Sequence, residues 1–235
     1  MKKYKFIIIN ILLLGLLISI NFNIKNVYAN NSETSFQNPN IVENIDYNEG
    51  MNFEFLSFVK LQNDKYSFVY LLPMRYSNWL RCTDFNFNLP DNSIIKGIKV
   101  QIDDFNGYYD YILVQDIYLV LNGIKIGIDK EIGTPIGTSD TDTYRVYGSS
   151  IDIWNTELSK SDIESSTFGL QILYYNSHTF IEFNVNIDNI QIKIYYSISE
   201  PEPELNIDFI IIFNLLAIFS IMILILMFTI IIIKK

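Results

Sequence analysis

The chain has 235 residues, a formal charge of −9 and 49% hydrophobic side chains. That apolar share excludes a disordered chain, and the acidic balance argues against a nucleic-acid partner. A single Cys excludes an internal disulfide or a Cys-based zinc site, and alanine at only Ala29 and Ala217 favours strands over helices.

In chain order, Lys2, Lys3 and Lys5 precede an apolar run from Phe6 to Phe22, and Val27-Tyr28-Ala29 follows. A basic start, an apolar middle and a small residue predict a signal peptide over residues 1–29. The rival is an uncleaved anchor, for which a run interrupted by Asn10 is short. Residues 30–37 read as a short linker and 38–196 as the folded ectodomain.

The ectodomain alternates with period two. Phe85, Phe87 and Leu89 alternate with Asp84, Asn86 and Asn88; Ile98, Val100 and Ile102 with Lys99 and Gln101. Phe183, Val185 and Ile187 do so later, followed by Ile190, Ile192, Ile194 and Tyr196. Such alternation puts one face on a core and the other in water, as in antiparallel sheets. Turn signals stand at Leu89-Pro90-Asp91-Asn92, Asn106-Gly107 and Asn122-Gly123. Asn122-Gly123 predicts a tight hairpin, and Lys96-Gly97 opens a strand. Only Thr156–Ser165 predicts a helical turn, capped by Ser159 or Ser161. The expected fold is all-β: an antiparallel two-sheet β-sandwich, jelly-roll-like, with a signal peptide before it and one transmembrane helix after it.

Residues 197–208 read as a Pro/Glu stalk, because alternating Pro keeps a chain extended. Phe209 to Ile233 is then interrupted only by Asn214, Ser220 and Thr229. At about 1.5 Å per residue that run exceeds a hydrocarbon core of about 30 Å, and a helix satisfies its own backbone in lipid. Lys234 and Lys235 predict a cytoplasmic end for a single-pass protein of the cell membrane, with the ectodomain outside. All 26 acids, but only 11 of the 17 basic residues, lie between Asn30 and Asp208, giving that segment −15. Anionic headgroups should repel it.

The strand motifs carry a resemblance. Ser77-Asn78-Trp79-Leu80-Arg81-Cys82-Thr83-Asp84-Phe85-Asn86-Phe87-Asn88-Leu89-Pro90 leads into Ile98-Lys99-Val100-Gln101-Ile102. Tyr147-Gly148-Ser149-Ser150-Ile151-Asp152-Ile153-Trp154, Phe168-Gly169-Leu170 and Val185-Asn186-Ile187-Asp188-Asn189-Ile190 come after it in order. Over Asn38–Tyr196 this resembles β-sandwich modules of bacterial, archaeal and phage surface or fibre proteins. The resemblance implies fold and surface location and transfers no catalytic residue. Asn52–Met74 departs from it, being longer and more apolar, and would add an edge strand pair. Pro201-Glu202-Pro203 with the apolar helix and terminal Lys is similar to prokaryotic Pro-Glu-Pro sorting tails. A lipid-anchor signal at Ser197 or Ser199 is a further alternative.

Chemistry-bearing groups are few. His178 has no second His and sits in a predicted turn, Asn176-Ser177-His178-Thr179. Cys82 reads as a buried small hydrophobe, and Trp79 and Trp154 read as core anchors. Phosphate loops, nucleophile elbows and EF-hand spacings are absent from the sequence, so the chain reads as a non-enzyme.

Asp103 and Asp104 are expected to open a loop continuing through Tyr108, Tyr109, Asp110 and Tyr111, a mixture suited to stacking on and hydrogen-bonding a sugar. Asp140 and Asp142, among Thr and Ser, offer hard oxygens for a structural Ca²⁺. Three functional classes follow. One is a binding or adhesion module with a glycan ligand, held by membrane lipid through its helix. The second is an envelope component that self-associates or packs against an envelope protein. The third is a carbohydrate-active enzyme needing two facing acids.

Overall fold

A computed structural model describes residues 31–106, 110–131, 133–137, 144–199 and 207–233. Two units follow from the contacts, Met1–Ser199 and Glu200–Lys235.

The first unit holds two antiparallel sheets. One orders β1 (Asn31–Glu33), β11 (Phe183–Ile198), β5 (Ser93–Phe105) and β9 (Arg145–Gly148), with β3 (Ser67–Leu71) also on β11. The other orders β2 (Ile41–Ile45), β4 (Trp79–Thr83), β10 (Gly169–Asn176), β6 (Ile112–Leu121) and β7 (Ile124–Ile126), with β8 (Thr134–Pro135) on β6. Leu80 and Cys82 of β4, Ile98 and Val100 of β5, Ile117 and Leu119 of β6, and Ile192 and Ile194 of β11 fill the core between them. The expected two-sheet, mostly strand architecture is present. Asn31–Glu33, expected as linker, instead form an edge strand in which Asn31 opposes Ser197. The last strand runs on to Ile198, past the expected ectodomain boundary.

Two details explain how the sequence fits. In β11 the inward residues are odd-numbered through Ile187 and even-numbered from Ile190, which an unbroken strand cannot satisfy. A bulge between Ile187 and Asn189 inserts Asp188 and returns both sets to the core. Phe85, Phe87 and Leu89 are buried as their alternation predicts, but they form no strand. Asp84 and Asn86 take positive φ (59° and 52°), a conformation that short polar side chains tolerate. The segment therefore curls, and the Leu89 N–H donates to Glu164 Oε1 (2.6 Å) rather than to a ladder.

The tight hairpin is present, with Asn122 and Gly123 both at positive φ between β6 and β7. The helical turn is α1 (Lys160–Ile163), capped by Ser159, whose side chain accepts from the Asp162 N–H. Trp154 lies fully buried and donates to Ile98 O (3.0 Å), and Cys82 is buried with its thiol pushed up by desolvation.

The second unit is α2 (Ile207–Ile233), a single helix. Among the described residues no helix is long and apolar enough to cross a membrane. The predicted signal peptide and the Pro201-Glu202-Pro203 motif lie outside the described residues.

Candidate functional site

Asp103 and Asp104 do not open a loop; they lie near the end of β5 and are buried, each 5% exposed. Strand alternation turns Asp104 inward, on the side of Ile98, Val100 and Ile102. Its Oδ1 accepts from Arg145 Nε (3.2 Å) and its Oδ2 from the Tyr174 hydroxyl (2.8 Å). Desolvation holds the Asp104 carboxyl above its ordinary value; Arg145 and the Tyr174 hydrogen bond pull it down, and Glu131 pushes it up. Glu131 is buried beside it, accepting from the Tyr147 hydroxyl (2.9 Å), the Thr134 N–H (3.2 Å) and the Thr134 hydroxyl. Asp104 is thus committed to protein partners rather than offered to a ligand.

Tyr108, Tyr109, Asp140 and Asp142 lie outside the described residues. Asp110 is exposed, and Tyr111 is partly covered by His178 (ring centroids 4.6 Å) and Phe183 (5.9 Å). Asn106 and Gly137, each next to one of these stretches in sequence, do meet: the Asn106 N–H donates to Gly137 O (2.9 Å). Among the described residues no group of three or more His, Cys, Asp or Glu could hold a metal ion. His178 sits in the turn and orders it: Nδ1 accepts the backbone N–H of Phe180 (3.0 Å) and of Ile181 (2.9 Å).

Sequence reading missed an aromatic surface carried by Asn52–Met74. In β3, Val69 and Leu71 face the core, so Phe68 and Tyr70 face out. A 3₁₀ turn over Leu56–Val59 precedes it, and the Glu54 N–H donates to Phe68 O (2.8 Å), pinning that segment to β3. Phe55 stacks on Phe58 (5.7 Å) and meets Phe68 (5.6 Å), which meets Tyr70 (5.3 Å). Phe55 and Tyr70 stay 56% and 59% exposed. Phe55 also has φ +52°, a conformation unusual for a bulky side chain and costing about 1–3 kcal/mol.

Beside these rings the amides of Asn184 and Asn186 stand opposite Tyr70 and Phe68 in register, joined by an Asn184 Nδ2 to Asn186 Oδ1 hydrogen bond (3.2 Å). Exposed ring faces next to amide donors and acceptors can stack on, and hydrogen-bond to, a hydroxylated ligand.

A second set of rings, on the outer face of the other sheet, is closed to such use. Trp79 points away from the core side taken by Leu80, yet is only 4% exposed. Lys125 Nζ sits 3.7 Å from its ring centroid, and Tyr47 and Tyr118 pack edge-on against it. Trp79 is therefore an anchor, as expected, but of an outer cluster. Beside it, partial burial and the neighbouring Asp129 carboxyl push Asp116 up to about 6.

Compared with known proteins, the chain matches no family model and no curated protein.

Proposed function

We propose that this chain is a membrane-anchored cell-surface binding or adhesion module whose ligand is a glycan. The observation that carries the reading is the pair of exposed rings, Phe55 and Tyr70, packed on half-buried Phe58 and Phe68 and flanked by Asn184 and Asn186. Rings covered by protein, as at Trp79, are explained by packing; rings left bare beside amides are explained by a ligand. The acidic loop first marked by sequence is replaced here as the contact surface, because Asp103 and Asp104 are buried. The ordered strand motifs that resemble prokaryotic and phage surface modules support the same placement.

Anchoring is carried by α2. Its sequence holds no acidic or basic residue after Asp208, and Lys234 and Lys235 follow it, so the helix would span lipid with the basic end inside. The apolar start of the chain would act as the export signal.

The test uses the full chain in phosphatidylcholine nanodiscs against a panel of neutral polysaccharides. Tyr70→Ala and Phe55→Ala are each expected to weaken binding about tenfold, the equivalent of about 1.4 kcal/mol, with folding unchanged. A wild-type chain that binds none of the panel, or variants that bind as well as wild type, would contradict the reading.

A further inference from the structure

We propose that the opposite end of the sandwich is a lipid-contacting surface, with Ile94, Ile151, Ile153 and Ile198 seated among phospholipid headgroups. The inference rests on reading α2 as embedded in lipid. Strand register brings Ile94 and Ile198 to one end of the sheet, on its two opposite faces. Ile94 opposes Ser197 and Ser93 opposes Ile198. The 149–153 segment lies against Gly97, where an added Cβ would strike Ser149 O at 2.4 Å. Ile94 and Ile153 line one cleft of about 390 Å³, which Ile95 and Leu158 floor. Ile151 borders a neighbouring cleft with exposed Lys96 and with Asn31 and Tyr195.

Exposure here is high: 85% for Ile151, 46% for Ile94, 37% for Ile153 and 36% for Ile198. A single exposed Ile is ordinary, but several grouped at one end need an occupant.

Chain connectivity says which occupant. Ser199 closes this end, its N–H donating to Asn92 O (3.1 Å). Only residues 200–206 then precede the apolar helix at Ile207, and extended chain covers at most about 3.6 Å per residue. A short tether into lipid holds this face at high local concentration near the bilayer, where weak apolar contacts suffice. Lys96 supplies a cation for headgroup phosphate, while the aromatic surface lies toward the other end of β11, opposite Asn184 and Asn186.

The experiment places a polarity-sensitive thiol dye at Ile151→Cys in the full chain, with Phe180→Cys as control. Phe180 is 87% exposed in the turn before β11, at the far end, and Cys82 is buried beyond the label's reach. Both are reconstituted in phosphatidylcholine vesicles with and without nitroxide-bearing lipid. The dye at 151 is expected to be quenched at least twofold by that lipid and the dye at 180 to be unaffected. Vesicles that float with the chain while the 151 dye stays unquenched and solvent-exposed overturn the lipid contact but leave the anchor intact. A shielded, unquenched dye that cross-links between copies assigns the face to a second copy, and also overturns it. A chain that does not float removes the anchor, and this proposal with it.

Discussion

Arg145 is the residue on which buried Asp104 depends. Its Nε lies 3.2 Å from Asp104 Oδ1, whose side chain is 1% exposed, so removing the guanidinium strands a buried carboxylate. Arg145→Met is expected to cost about 3–5 kcal/mol in denaturant unfolding. Tyr174→Phe removes one hydrogen bond to the same carboxylate and is expected to cost about 1 kcal/mol. Equal, small effects from both would mean that water reaches Asp104.

Asp116 gives a pH signature of the opposite kind. Its carboxyl rises from 3.8 to about 6, through burial first and Asp129 second. Between those values the folded chain holds more protons than the unfolded one, so this group's contribution is present at low pH and is lost as pH rises through 6. Melting temperatures of wild type and Asp116→Asn should therefore separate as pH rises from about 4 to 6 and stay apart above it, with the variant the more stable there. Parallel curves from pH 4 to 7 would show that the pair does not share a proton.

At the level of elements, Gly148 fixes how β9 turns into the Trp154 segment. It has φ +74°, and an added Cβ would fall 2.1 Å from Ile98 O, the acceptor of the Trp154 indole N–H. Gly148→Ala is expected to cost about 1–3 kcal/mol. Gly137→Ala, where nothing lies within 4 Å of the added atom, should be neutral in the same unfolding experiment.

Elements whose two faces differ in polarity were legible in the sequence: β5, β11 and the β6–β7 hairpin all follow their alternation or turn residues. Where polarity gave no contrast, reading failed. Ser67-Phe68-Val69-Tyr70-Leu71 is apolar on both sides, so nothing in it marks Phe68 and Tyr70 as outward. Asp103-Asp104 is polar on both sides and reads as a loop, although β5 carries one of the pair into the core. The Asp188 bulge is visible only as a parity change between Ile187 and Ile190. The partners of Asp104 come from β9 and β10, at separations of 41 and 70 residues that no local pattern reports.

For the whole molecule, the proposal to be tested is that the sandwich is displayed outside the cell and that the helix Ile207–Ile233 anchors it in the membrane. Exposed Lys65 and Lys125 belong to the sandwich, whereas Lys234 and Lys235 follow the helix. The direct measurement labels intact cells that express the full chain with a membrane-impermeant amine reagent and maps the modified lysines by mass spectrometry. The account predicts modification at Lys65 and Lys125 on intact cells, and at Lys234 and Lys235 only after permeabilisation. Modification of all four only after permeabilisation, or recovery of the full chain from the soluble fraction, would contradict it.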